Sequence, residues 1–132
     1  MQHINLLAIF TSSIIVFFLG GIWYSEKLFG KIWQREANIT KENKQCSHSP
    51  IAFILSFIYT LIAAVAFAIF LPDNYQFMNA IEFGLAIGIC FVATSLGTNY
   101  LFTNRSFILF LIDGGYIVTQ FLIFGLIIGL WK

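Results

Sequence analysis

The sequence predicts an all-α integral membrane protein, a four-helix bundle with a short amphipathic surface helix after the first span. Three observations carry this prediction. Of 132 residues, 59% are hydrophobic and 10% charged, whereas roughly a quarter of the residues of a water-soluble globule are charged. Four windows, 4–24, 51–71, 81–102 and 107–131, each supply the roughly 20 apolar residues a helix needs to cross hydrocarbon, and none holds a Lys or Arg in its interior. Most of the remaining charge sits in one loop, 25–50. The length suits a single transmembrane domain, 1–132, and a net charge of +1 gives no footprint for nucleic acid.

The first window lacks a basic leader and a small-x-small cleavage site, so it reads as a retained helix and not a signal peptide. It exits through LGGIWYSEKLFGKIW, residues 19–33. Trp23 and Tyr24 suit the headgroup belt, where a ring can stay apolar while its N–H or O–H stays wet. Leu28, Phe29, Ile32 and Trp33 recur at i, i+1, i+4 and i+5, and Lys27, Lys31 and Arg35 can reach anionic lipid. Trp23, Tyr24, Lys27, Phe29, Lys31 and Trp33 are therefore expected to be membrane-surface anchors.

Ser49-Pro50 caps and starts the second span, and Pro72 follows its last turn. Along it Ala52, Ser56, Thr60, Ala64 and Ala68 form a small-residue stripe, useful because lipid tails give no hydrophobic drive between helices and close packing must supply much of the association. Asn79 to Glu82 reads as a capping box for the third span. That span carries Gly84-x-x-x-Gly88 and the fourth carries Gly125-x-x-x-Gly129, both helix-contact motifs, either of which suits a second copy of the chain. A homo-oligomer, with a dimer as the simplest case, is expected from the small core of four short helices.

Lys27, Lys31, Arg35, Lys41, Lys44 and Arg105 fall on one side and Lys132 alone on the other. By the positive-inside rule the loops 25–50 and 103–106 are expected in the cytoplasm, with both termini on the outer side of the membrane. Cys46 lies in the polar loop and Cys90 in an apolar span, so no disulfide framework is expected. Cys46 with His48 supplies too few ligands for a structural zinc, and no metal or other cofactor is expected.

The chemistry is concentrated in the last two spans. A carboxyl at bilayer depth is expensive and normally faces protein or water, which singles out Asp113, about 9 Å along the axis from Phe107. Tyr116 and Gln120 follow on the same side, and Thr94, Ser95, Thr98 and Asn99 form an arc on the preceding span. This seam either fixes helix register, with Asp113 neutral or paired with Arg105 or a loop lysine, or lines a small cavity in a transporter or channel-like oligomer. An enzyme is not expected, because His3 and His48 fall on opposite sides with no carboxylate cluster near either. Gly114-Gly115 beside the aspartate suits close approach of a neighbour. Leu19-Gly20-x-x-Trp23 and Leu96-Gly97-x-x-Tyr100 form a faint internal echo at equivalent helix ends.

Several of these strings in order, Gly20-x-x-Trp23-Tyr24-Ser25-x-x-Leu28-Phe29-Gly30-Lys31-x-Trp33, Gly88-x-x-Phe91-Val92-Ala93-Thr94, Thr98 to Phe102, and Arg105-Ser106 leading to Leu109–Asp113-x-Gly115-Tyr116, resemble the bacterial membrane family DUF1761. The resemblance implies a four-span membrane protein without an established activity. Two positions depart from the family pattern, Glu26 for its usual proline and Ile117 for a frequent histidine, so the resemblance implies no histidine chemistry here.

Overall fold

The computed structural model describes residues 5–40 and 49–131, and they are helical with short connections. The helices are α1 (Leu6–Trp23), α2 (Gly30–Glu36), α3 (Pro50–Phe70), α4 (Phe77–Phe102) and α5 (Phe107–Leu130). All but α2 are long and apolar enough to cross a membrane. The predicted four-span bundle with an additional short helix is therefore the observed architecture. His3, Lys41, Lys44, Cys46, His48 and Lys132 lie outside the described residues.

Local chemistry sets the ends. Asn5 accepts from the backbone N–H groups of Leu7 and Ala8 at 3.1 and 3.2 Å, Ser49 from Ala52 at 3.2 Å, and Ser106 from Leu109 at 3.1 Å. Each satisfies an amide that the first helical turn leaves without a partner. One expected cap is corrected. α4 begins at Phe77, four residues before the predicted span, and the Asn79 side chain accepts from the Gln76 backbone N–H at 3.1 Å. Glu82 is exposed and takes no part, because the helix starts a turn earlier than its capping pattern required. Midway, Ile87–Ala93 is wound as a π-helix, which no feature of the sequence announced.

α5 is the axis of the molecule, packing against α1, α2, α3 and α4, while α3 leans mainly on α1. Its direction opposes that of α1 and α4, so Trp23, Tyr24 and Tyr100 all meet its first turns. At the other end the Tyr75 hydroxyl donates to the Ile128 carbonyl at 3.1 Å. Large apolar side chains point outward, with Leu101 and Phe102 81% and 89% exposed, as suits a lipid-facing surface.

Both GxxxG motifs are spent within the chain. A Cβ on Gly125 would lie 2.5 Å from the Ala80 carbonyl oxygen, one on Gly129 2.8 Å from the Ala80 Cβ, and one on Gly88 3.1 Å from the Val118 Cα. A Cβ on Gly84 would collide with the Phe121 carbonyl. The motifs therefore pack α4 and α5 against each other, so neither of these two is the one that faces a second copy. Beside them Phe67, Phe121 and Phe124 cluster in tilted and edge-to-face contacts with ring centroids 5.6–6.4 Å apart. Of the α3 stripe, Thr60 and Ala64 are buried while Ser56 is exposed. Phe10 and Phe17 of α1 meet Phe57 edge-on at 6.1 and 5.6 Å.

Candidate functional site

At the α2 end of the bundle one carboxyl gathers three donors from three segments. The Tyr24 hydroxyl, at the exit of α1, donates to Asp113 Oδ1 at 2.8 Å. The Trp33 indole Nε1–H, on α2, donates to the same oxygen at 3.0 Å. The Tyr100 hydroxyl, on the last turns of α4, donates to Oδ2 at 2.6 Å. Three donors suit a carboxylate, which is acceptor-only with about four lone-pair sites. Bonds of this kind contribute about 1.5–3 kcal/mol each when the acceptor is charged.

The backbone brings these groups together through close approach. Gly30 is buried, and a Cβ there would strike the carbonyls of Tyr24 and Ser25. Its own N–H donates to the Ser25 carbonyl at 2.9 Å, and Phe29 N–H donates to the Trp23 carbonyl at 3.2 Å. The chain can therefore double back directly after α1, which sets Trp33 on the same side as Tyr24, with ring centroids 5.3 Å apart. Gly115 lies 3.3 Å, measured from the Cβ it lacks, from the Trp23 ring, and that ring's Nε1–H donates to the Ile112 carbonyl at 3.1 Å. Close approach is thus the use made of this glycine.

The internal echo becomes a structural equivalence. Gly20 on α1 faces the hydroxyl end of Tyr116 and Gly97 on α4 the edge of the Phe110 ring, each nearest atom 3.1 Å from where a Cβ would be placed. Three residues on, Trp23 and Tyr100 each donate to α5, at Ile112 and Asp113. The repeated Gly-x-x-aromatic is one device used twice: a gap for a ring, then a polar tip aimed at the central helix.

The expected seam residues separate. Asp113 and Tyr116 face the bundle, but Tyr116 donates to the Val16 carbonyl at a long 3.4 Å and joins the ring cluster, 5.4 Å from Tyr24. Gln120 is half-buried. Thr94, Ser95 and Thr98 are exposed and return their hydroxyls to the helix's own carbonyls, on Cys90 and Phe91, Phe91, and Thr94 respectively. Their arc therefore does not furnish partners for Asp113, because local i−4 acceptors satisfy them without a tertiary neighbour. The expected anchors divide too. Lys27 and Lys31 are exposed and Phe29 packs on Trp23 at 4.9 Å, while Trp23, Tyr24 and Trp33 turn inward to α5. The same amphipathic rings suit a headgroup belt and an internal donor equally well, which is why sequence placed them at the lipid surface. The missed partner Tyr100 was signalled by the echo.

A cleft of about 300 Å³ reaches Asp113 from this end, lined by Trp33, Asn99, Tyr100, Arg105, Leu109 and Asp113 among others. Arg105 is exposed and, among the described residues, pairs with no carboxylate, whereas Arg35 pairs with Glu36 at 3.4 Å. A second cavity, at the opposite end, has Tyr75, Asn79 and Glu82 on its wall. Among the described residues no three His, Cys, Asp or Glu side chains are grouped as a metal would require.

No curated protein and no solved structure matched the sequence. The family described as "Protein of unknown function (DUF1761)" matches over residues 7–129, a span that takes in all five helices except the ends of the first and last. With nearly its whole length matched, the chain belongs to the DUF1761 family.

Proposed function

We propose that this is a non-enzymatic, multi-pass protein of a bacterial inner membrane, and that Asp113 locks a basic surface helix to the bundle. The protein acts in this reading as a structural or interaction platform. The observation that carries it is the convergence of Tyr24, Trp33 and Tyr100, from three segments, on one carboxyl. With Trp33 drawn inward, Lys27 and Lys31 remain exposed beside it while Arg35 pairs with Glu36, and exposed basic side chains of this kind attract anionic headgroups by about 1 kcal/mol per charge near the surface. The Lys and Arg distribution along the sequence supports a cytoplasmic location for that end and an outer location for both termini. A homodimer is retained, with contacts other than the two glycine motifs.

The test is Asp113→Leu, which removes the acceptor but keeps an apolar side chain. We expect Trp33 to become several times more accessible to an aqueous quencher and the protein to lose affinity for vesicles rich in anionic lipid. A shielded Trp33 with unchanged vesicle binding would reject the lock. A transport reading has one observation in its favour, the cleft that reaches Asp113. It requires proton- or cation-coupled flux in proteoliposomes that Asp113→Asn abolishes while Trp33 stays shielded.

A further inference from the structure

The cleft beside the lock holds charges of both signs that do not touch. Asp113 is half-buried on α5 and Arg105 is exposed on the turn ahead of it, some two helical turns earlier in the chain, yet the two form no ion pair. Asn99 lines the same space with its carboxamide. On Asp113, Oδ1 already accepts two hydrogen bonds and Oδ2 one, so a lone-pair site on Oδ2 is left. At about 300 Å³ the cleft is at the small end of ligand pockets, and its walls include the Trp33 and Tyr100 rings and Leu109.

We infer that this cleft is a binding site for a small zwitterion, with its ammonium inward on Asp113 Oδ2 and its anionic group on Arg105. A ligand carrying both charges satisfies both protein groups at once; a simple cation or anion leaves one of them solvated alone. The Asn99 carboxamide can donate to the anionic end or accept from the ammonium. The polarity also decides the source. In a zwitterionic phospholipid the phosphate is tethered deeper than the ammonium, the reverse of the order Arg105 and Asp113 present, so the ligand enters from water. The inference extends the proposed lock, because docked Trp33 forms one wall.

The test is calorimetric titration of the full-length protein in phosphatidylcholine nanodiscs with glycine, β-alanine, γ-aminobutyrate and ε-aminohexanoate, then butylammonium and butyrate. One zwitterion length should bind saturably, and either single-charge analogue should bind about tenfold more weakly or worse, the scale of a lost charge-assisted contact. Arg105→Gln should weaken the zwitterion to the level of butylammonium, with Trp33 still shielded from quencher. Absence of saturable binding by the whole series, or equal binding of butylammonium, overturns the inference. So does competition by phosphatidylethanolamine in the nanodisc, which would make the occupant a lipid. Trp33 shielding in the unliganded protein reports the lock separately, so failure of binding with Trp33 shielded rejects the zwitterion site alone.

Discussion

The two halves of α5 hold the bundle by different physics. Toward its C-terminus, Gly125 and Gly129 let the α4 backbone approach until a single added methyl would strike Ala80, and Phe121 and Phe124 fill the space alongside. Toward its N-terminus the contacts are directional, with Trp23 on the Ile112 carbonyl and Tyr24, Trp33 and Tyr100 on Asp113. The difference follows from depth and from the number of partners. Where two helices run side by side through hydrocarbon, van der Waals contact at small residues holds them. Where three segments meet near the end of the bundle, one acceptor with several lone pairs can bind all of them, which no steric ridge does as economically.

That contrast can be broken at either half. The largest effect is expected from Gly125→Leu, whose side chain meets Ala80 and Ile81 backbone atoms with no flexible group to yield. A loss of about 3 kcal/mol or more is expected, at the upper end of overpacking costs, measured as a lowered thermal midpoint in detergent together with loss of α4–α5 cysteine crosslinks. An unchanged midpoint would mean that the two helices are not packed at these glycines. Gly30→Ala attacks the other half through the backbone turn, since its Cβ collides with the carbonyls of Tyr24 and Ser25. We expect about 2 kcal/mol of local destabilisation, seen as quencher access to Trp33 with the α4–α5 crosslinks intact. Simultaneous loss of both would show one cooperative unit in place of two. The smallest effect belongs to Tyr116→Phe. Its hydrogen bond to Val16 is long at 3.4 Å and its ring contacts survive the change, so less than about 0.5 kcal/mol is expected. A larger loss would move Tyr116 into the directional half as a true partner.

The four long helices were legible because hydrocarbon imposes a length and a composition that a sequence displays without any tertiary knowledge. The start of the second at Ser49 and Pro50 was readable for a similarly local reason, since a cap involves residues within one turn. The start of α4 was misread where two overlapping local solutions competed, Asn79 serving Gln76 in place of Glu82 serving Asn79. Asp113 stood out through the cost of its burial, but its partners did not. Thr94, Ser95 and Thr98 share its neighbourhood by helical periodicity and are nonetheless satisfied on their own helix.

The sequence by itself determined that this chain has four helices long and apolar enough to cross a membrane, and that the carboxyl in the last of them must find company. Only the tertiary structure decided that the company is Tyr24, Trp33 and Tyr100, and that both glycine motifs face inward. The reason is that span formation depends on properties summed along one segment, whereas a donor's target depends on the rotation and depth of helices brought side by side from positions as far apart as Tyr24 and Asp113.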